Sequence, residues 1–407
     1  MNPSSYLSTL EQLAQVRRSA AQPTISSSSN APYLFLFLEI FEREGGIQSF
    51  VRQIFRSLAA LEPVPSADVF LLRDRCCEHP FASPALRFHY FKTRSALLSR
   101  LWIIGALLLY LLRHRPQRLI CGHLYLAPLV WLCCKPFGIP YTVITHGKEV
   151  WAPLPCWQRL ALQQADQIWT VSRYSRDRSA ASNQLDLSKI QLLPCAIDGD
   201  AFTPAAKSPA LLEQYGLRDA KVLMTVARLW SGDIYKGVDV TLRALPQILQ
   251  SFPEVKYLVV GRGDDQPRLA ELAAELGIAD RVVFAGFVAT ADLLEHYRLA
   301  DAYVMPSQEG FGIVYLEAMA CGIPVLSGDA DGSADPLRDG ELGWRVPHRD
   351  PEAVAQACLE MLQAIAQRQR GAAFDPRCDG SWLRRQAIER FGKAAFTARL
   401  QVLLGSG

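Results

Sequence analysis

The stretch PSQEGFGIVYLEAMACGIPVLSGDADGS, residues 306–333, holds two glutamates, Glu309 and Glu317, with seven residues between them. DAYVMPS reads as a buried strand, QEGFG as its exit turn, and IVYLEAMACG as a helix stopped by Gly322. Glu309 then lies in the turn, and the backbone amides of Phe311, Gly312 and Ile313 lie at a helix N-terminus suited to a phosphate or to sugar hydroxyls. Glu317, one turn further in, projects from the helix, where its carboxylate could accept from two vicinal hydroxyls such as those of a ribose. The two acids would grip different parts of one elongated ligand. A glycosidase pair must instead face each other across one bond, about 5 to 9.5 Å apart, which an acid in a turn and an acid inside the next helix do not do.

Other residues point to an anionic ligand. VARLWSGDIYKGVD follows a predicted strand and brings Arg228 and Lys236 to one loop edge; the planar fork of arginine and the mobile charge of lysine suit a diphosphate. Gly45-Gly46 separates the first predicted strand from a helix predicted to start at Ile47, so the backbone there can approach a ligand closely, although a tight turn explains the same glycines. VITHGKEVW ends another strand with His146, able to bond a sugar hydroxyl or support positive charge at a sugar carbon. GRGDDQ, residues 261–266, has two glycines of a dinucleotide fingerprint but Gln266 in the third place, which argues against a nicotinamide site. The D-x-D of Asp329 and Asp331 is a metal motif in some sugar transferases, yet as a calcium loop it fails at Ala334 and Gly340. No metal site is expected. Met319 and Cys321 read as core residues of their helix.

The elements that must position these residues alternate throughout: short apolar runs that suit strands, then longer segments of helical period, the pattern of parallel sheets covered by helices. In the first half strands are predicted near 33–38, 68–72, 118–122, 140–145, 167–171 and 190–194, and helices near 47–61, 94–114, 125–135, 156–164 and 173–180. The polar segment 198–221, with Pro204 and Pro209, is the predicted boundary. Beyond it KVLMTVARL, VKYLVVGRGD, RVVFAGFV, DAYVMPS and IPVLSG are five further strands. The expected organisation is an N-terminal tail over 1–30, a Rossmann-like unit over 31–200, a second Rossmann-like unit over 201–380, and one last helical stretch over 381–407 that packs back on the first unit. Ligands of such folds bind in the cleft where the strands' carboxyl ends meet.

A chain of 407 residues, half of them apolar and a fifth charged, fits two ordered domains. Its net charge of +3 divides unevenly: residues 1–200 carry 21 Lys and Arg against 14 Asp and Glu, and residues 201–407 carry 22 against 26. The basic half suits anionic lipid or an anionic substrate as well as an ordinary solvated face. The ten cysteines, without zinc-like spacing, read as reduced and mostly buried thiols of a cytosolic protein, and the N-terminus lacks the continuous apolar core of a secretory signal. Leu101 to Leu112 is apolar and fenced by Arg100 and Arg113, but a spanning helix needs about 20 such residues. Two readings stay open for it: a helix buried against a sheet, or one lying in a leaflet with Trp102 at the interface and Arg94, Arg100, Arg113 and Arg115 near headgroups.

These motifs together resemble the retaining glycosyltransferases of group 1, also called family 4, with the two-domain GT-B architecture. Their hallmark E-x7-E is matched by EGFGIVYLE followed by AMACGIPVLSG, and REGG, THGKEVW, VARL, YKGVD, VVGRGDD, VVFAGFV and DGELGWRV follow the family's order over nearly the whole chain. The resemblance implies that Arg228 and Lys236 hold a donor diphosphate approached by the backbone of Gly46. It implies that Glu309 contacts the donor sugar beside the amides of Phe311, Gly312 and Ile313, that Glu317 holds the ribose, and that Gly261, Gly263, Phe287 and Val288 line the base. His146 resembles the histidine that touches the transferred sugar. The implied reaction moves a hexose from a nucleotide-diphosphate sugar, a co-substrate, to a hydroxyl of a glycan, lipid-linked or small acceptor with retention, without cofactor or bound metal. Nucleic acid is not an expected partner, and the expected location is the cytoplasm, including the inner face of the cell membrane. The alternatives are a non-catalytic sugar- or lipid-binding scaffold and, on the carboxylate argument less well, a glycosidase.

Overall fold

The computed structural model describes residues 32–43 and 45–405; the tail expected over 1–30 lies outside them. YLFLF and ADVFL are unbroken apolar runs, and β1 (Tyr33–Phe37) and β2 (Ala67–Leu71) are correspondingly buried at almost every position, as parallel strands covered on both faces must be. Between them α1 (Gly46–Ala59) turns Phe50, Ile54, Phe55 and Leu58 onto the sheet. The unit continues through β3 (Leu86–Tyr90), α2 (Ala96–His114), β4 (Arg118–Cys121), α3 (Ala127–Cys134), β5 (Tyr141–Thr145), α4 (Cys156–Gln163), β6 (Gln167–Thr170), α5 (Arg173–Asn183) and β7 (Ile190–Leu192). Among the described residues these strands form one parallel sheet in the order β3-β2-β1-β4-β5-β6-β7.

The second unit follows α6 (Pro209–Gln214) and runs β8 (Lys221–Val226), α7 (Val238–Ser251), β9 (Val255–Val260), α8 (Gln266–Glu275), β10 (Val282–Gly286), α9 (Leu293–Tyr297), β11 (Ala302–Met305), α10 (Ile313–Ala320), β12 (Val325–Gly328), β13 (Trp344–Val346) and α11 (Pro351–Gln369). Its parallel sheet has the order β10-β9-β8-β11-β12-β13. In both sheets the order reverses beside the first strand, which opens the crevice in which doubly wound folds bind ligands.

Three expectations need correction. LRFHY forms β3, a strand that its sequence hides because alternating Arg87 and His89 interrupt the apolar run; both side chains reach Asp68 of β2, Arg87 Nε at 2.9 Å and His89 Nε2 at 2.7 Å. WRV forms β13, a sixth strand too short to register as a separate apolar run. The last helical stretch is not one helix but two, α12 (Gly380–Phe391) and α13 (Lys393–Gly405), separated at Gly392, whose backbone is extended. There Ile197 N donates to Phe391 O at 2.7 Å, stitching the break to the crossover between the units. α12 packs on α10 of the second unit, whereas α13 packs on α1 of the first. Thr397 Oγ1 bonds Ser57 Oγ at 2.9 Å, Arg399 Nε bonds Leu192 O at 2.8 Å, and Phe396 meets Phe50 edge to face with centroids 5.8 Å apart.

Of the ten cysteines, six are buried, while Cys76, Cys77 and Cys156 are exposed, so the expectation of mostly buried thiols holds for the cores and not for these surface positions.

Candidate active site

Glu309 sits in the turn after β11, and Glu317 lies inside α10, as the strand, turn and helix reading predicts. The turn is braced by Asp331 from the following loop. Its Oδ2 accepts from Glu309 N at 2.6 Å, and its Oδ1 accepts from Ser333 N at 2.9 Å and from the Ser333 hydroxyl. Asp331 is buried, and burial pushes its carboxyl up to about 7. Asp329 turns elsewhere, its Oδ1 accepting from His348 N at 3.2 Å. Both acids of the D-x-D are thus engaged with backbone amides on different segments. No group of three or more His, Cys, Asp or Glu able to hold a metal occurs among the described residues.

α10 opens on Gly312, whose φ of +88° and whose contact with Tyr315, where a Cβ would come within 2.4 Å of the ring, both require glycine. The amides of Phe311, Gly312 and Ile313 donate to no backbone acceptor among the described residues, leaving the positive helix end free to receive oxygen ligands. Phe311 itself is buried and packs edge to face on Phe391 of α12, centroids 5.7 Å apart. One turn further, Tyr297 OH donates to Glu317 Oε2 at 2.7 Å. Burial outweighs that bond and raises Glu317 to about 7, so its charge is set near neutral pH.

The loop after β8 meets this turn. Lys236 Nζ forms an ion pair with Glu309 Oε1, both side chains four-fifths or more buried. Gln308 N donates to Tyr235 O at 3.0 Å, and Gly237, at φ +75°, lies where a Cβ would approach Pro306 O to 2.4 Å. Arg228 is more open: Nε bonds Asp233 at 2.6 Å and the guanidinium lies over Trp230, 5.3 Å from the ring centre.

From the first unit, the end of β5 reaches the same place. His146 Nε2 lies 3.2 Å from Gly122 O, and its ring meets Phe50 edge to face at 5.6 Å. Gly147 and Gly310 are in backbone contact across the cleft: a Cβ on Gly310 would come within 2.4 Å of His146 O, and one on Gly147 within 2.6 Å of Gly310 Cα. Ser172 Oγ donates to Gly310 O at 2.6 Å, and Arg173 of α5 bonds Asp335 and Asp339. Lys148 places its ammonium 3.1 Å from the centre of the Tyr235 ring. Burial lowers its pKa, and Lys236 adds to that, while Asp233 and Glu309 oppose it. Lys148 and Lys236 therefore form a cationic pair drawn from both units beside Glu309, and Arg228, on the same loop as Lys236, is paired with the buried Asp233. In THGKEVW the sequence draws attention to the histidine and not to Lys148, whose partner Tyr235 is distant in the chain.

The remaining expected residues divide. Gly46 begins α1 behind Gly45, and a side chain there would meet open space, so close packing does not explain this glycine. Gly261 and Gly263 are explained by packing: a Cβ on each would fall within 1.8 Å of Ala227 O and 1.7 Å of Leu229 O, respectively. Phe287 is exposed, with the Arg262 guanidinium 4.5 Å above its ring, and Val288 is half-buried beside it. Arg262 joins this edge to the loop of Arg228, its carbonyl accepting from Leu229 N at 3.0 Å.

The family model described as Glycosyl transferases group 1 matches residues 220–364, and that described as Glycosyl transferase 4-like domain matches residues 45–196. The chain belongs to the group 1 glycosyltransferases. Among curated members, it is 36% identical over 232 residues to a GDP-mannose-dependent alpha-(1-6)-phosphatidylinositol monomannoside mannosyltransferase of Mycolicibacterium smegmatis, covering 54% of this chain and 59% of that one. It is 30% identical over 316 residues to a D-inositol 3-phosphate glycosyltransferase of Mycobacteroides abscessus, covering 72% of this chain and 66% of that one. The match thus spans about three-fifths of the length of these relatives. In three dimensions, Anabaena HepE in complex with UDP and glucose superposes with a TM-score of 0.69 over 93% of this chain and 100% of that chain at 19% identity. That likeness establishes the two-unit α/β arrangement as the GT-B glycosyltransferase architecture.

Proposed function

We propose that this group 1 glycosyltransferase moves a hexose from a nucleotide-diphosphate sugar to an acceptor hydroxyl with retention at the anomeric carbon. The observation that carries the reading is the ion pair of Lys236 with Glu309 in the turn before α10, joined from the first unit by Lys148 over Tyr235, with Arg228 on the same loop as Lys236. Cations and helix amides aimed at one place stabilise charge that develops on a leaving diphosphate, and such fixed electrostatics commonly contribute more to catalysis than any other single effect. The three cations face the diphosphate, the amides of Phe311, Gly312 and Ile313 and the Glu309 carboxylate face the sugar, and Glu317 takes the ribose hydroxyls. Gly46 offers its backbone from the opposite side, and Phe287 and Val288 flank the base.

In the reaction the bond from the anomeric carbon to the phosphate oxygen breaks, and the bond to the acceptor oxygen forms on the same face. The acceptor's proton passes to the departing phosphate oxygen, so no enzymic base is required. His146, held against Gly122 O and Phe50, supports the positive charge at the sugar carbon. No step uses a metal or cofactor, in keeping with the engagement of Asp329 and Asp331 by backbone amides.

GDP-mannose is the donor to try first, since the mycolicibacterial relative is GDP-mannose-dependent, and a lipid-borne or inositol-containing hydroxyl is the corresponding acceptor. The site of action is the cytoplasmic face of a membrane. Thermal stabilisation by a panel of GDP-, UDP- and ADP-sugars tests the donor, because a ligand that binds only the folded state raises apparent stability by mass action. The expected result is stabilisation by one nucleotide family and its loss in Lys236→Ala. Equal stabilisation of wild type and variant would remove Lys236 from the donor site.

A further inference from the structure

The helix α2 has a side that the fold does not use. Ser99, Ile103, Leu107, Tyr110 and Leu111 face the sheet, and Tyr110 OH donates to the buried Asp68 at 2.7 Å, where Arg87 and His89 also converge. The other side carries Leu97, Leu101, Leu108 and Leu112 at spacings of four and seven residues, one continuous helical stripe, flanked by Leu98 and Trp102. All are exposed, Leu97 at 63%, Leu101 at 57% and Leu112 at 61%. A 19-residue helix presents such a stripe over about 28 Å. Exposed leucines scattered singly are ordinary; an aligned row the length of a helix marks a surface that meets an apolar phase.

The charge around the stripe identifies that phase. Residues 79–148 contain no aspartate or glutamate and nine lysines and arginines. Of these Arg94, Arg100, Arg113, Arg115 and Lys135 are exposed. A cation-flanked apolar helix face with an interfacial tryptophan fits an anionic bilayer surface, with the leucines below the headgroups and the arginines among them. The helix passes a length and composition test for crossing a membrane. Crossing would tear Tyr110 from Asp68 and strip the sheet of its cover, so the geometry supports a helix lying in the surface.

The position of the helix links it to the cleft. In a parallel sheet the helix that follows a strand starts at the strand's carboxyl edge, and α2 starts just beyond the end of β3, where Trp102 packs edge to face on Phe91, centroids 5.2 Å apart. The carboxyl ends of β4 and β5, with His123 and His146, lie along that same edge, and Tyr125 beside His123 is 69% exposed.

We infer that the first unit docks on an anionic lipid bilayer through the outer face of α2, with the cleft rim against the membrane so that an acceptor hydroxyl carried on a lipid reaches His146 without leaving the leaflet. The docking surface stands on its own observations; the delivery of the acceptor rests on the proposed transferase reading.

The test is flotation of the full chain with vesicles of phosphatidylcholine alone and of phosphatidylcholine with phosphatidylglycerol, at low and high salt, using wild type, Leu98→Asp/Leu101→Asp/Leu112→Asp, and Arg100→Glu/Arg113→Glu. All substituted side chains are exposed, and thermal unfolding confirms that the variants fold. The expected result is binding to anionic vesicles only, weakened by salt, and reduced tenfold or more in each variant while donor-induced stabilisation is unchanged. Wild-type protein that floats with neither vesicle, or a leucine variant that floats like wild type, overturns the inference. So does a wild-type dimer that the leucine substitutions convert to monomer without changing flotation, since the stripe would then cover a second copy. Intact flotation with no stabilisation by any nucleotide sugar overturns the transferase reading and leaves the docking surface standing.

Discussion

At the scale of single residues, Lys236 and Glu309 neutralise each other in a mostly buried pair that joins the loop after β8 to the turn after β11. Removing one partner leaves a charge buried without its counter-ion and also removes a group proposed to face the donor. Lys236→Ala and Glu309→Ala are each expected to lower kcat/KM by about 10²–10³, the range seen when one charge-stabilising donor is lost, with far-ultraviolet circular dichroism unchanged. Glu317 carries a pH dependence. Its folded carboxyl titrates near 7 because burial opposes charge, so between the ordinary carboxylate range and about 7 the folded chain holds a proton that the unfolded chain loses. Stability from this residue therefore falls as pH rises through that window, while its capacity to accept from the ribose hydroxyls proposed to reach it grows. Donor KM is expected to fall about tenfold from pH 6 to pH 8, following the ionised fraction, and Glu317→Gln should flatten that profile. A wild-type KM independent of pH would remove Glu317 from the ribose site. The two glutamates were legible because an acid in a strand exit and an acid inside the following helix are separated by local geometry alone. Lys148 was not, since only the fold brings it over Tyr235.

At the scale of elements, the contact between the end of β5 and the turn before α10 sets how closely the two units approach. Gly147 has φ +138°, and Gly310 touches the His146 carbonyl, so neither position has room for a methyl group. Gly310→Ala must push the units apart or tilt the Glu309 turn. Its expected cost is about 1–3 kcal/mol of stability, as for other overpacked sites, with a loss of kcat larger than the change in donor KM. Steady-state kinetics beside a denaturant titration checks both, and unchanged kcat would show that this contact does not govern turnover. The sequence showed glycines here without showing what they touch, because the crowding is between residues 163 positions apart. The same limit hid the reason for Gly261 and Gly263, which pack on the preceding loop. Strands with apolar runs on both faces were legible, whereas β3 and β13 were not: one interrupts its apolar run with Arg87 and His89, which bond Asp68, and the other is three residues long.

At the scale of the whole molecule, α12 and α13 tie the two units together on the side of Phe311 and Phe50. Phe396 of α13 packs on Phe50, which packs on His146, so a core residue of the C-terminal helix supports a residue of the cleft. Phe396→Ala is expected to cost about 3–5 kcal/mol by leaving a cavity, and to lower kcat among molecules that remain folded. Periodicity made the terminal helical stretch visible, and its break at Gly392 depends on the pairing with Ile197, a long-range event. On the proposed reading cations and helix amides do the work a metal would do, so transfer should persist in excess EDTA; activity lost in EDTA and restored by manganese would contradict that reading. The most direct test of the central claim is nucleoside diphosphate release from GDP- and UDP-hexoses in the presence of lipid-borne acceptors, comparing wild type with Lys236→Ala and analysing the anomeric configuration of the product. The account predicts acceptor-dependent release with one nucleotide family, a product that keeps the donor's configuration, and near-loss of release in the variant. Inverted product, or release that Lys236→Ala leaves unchanged, would contradict it.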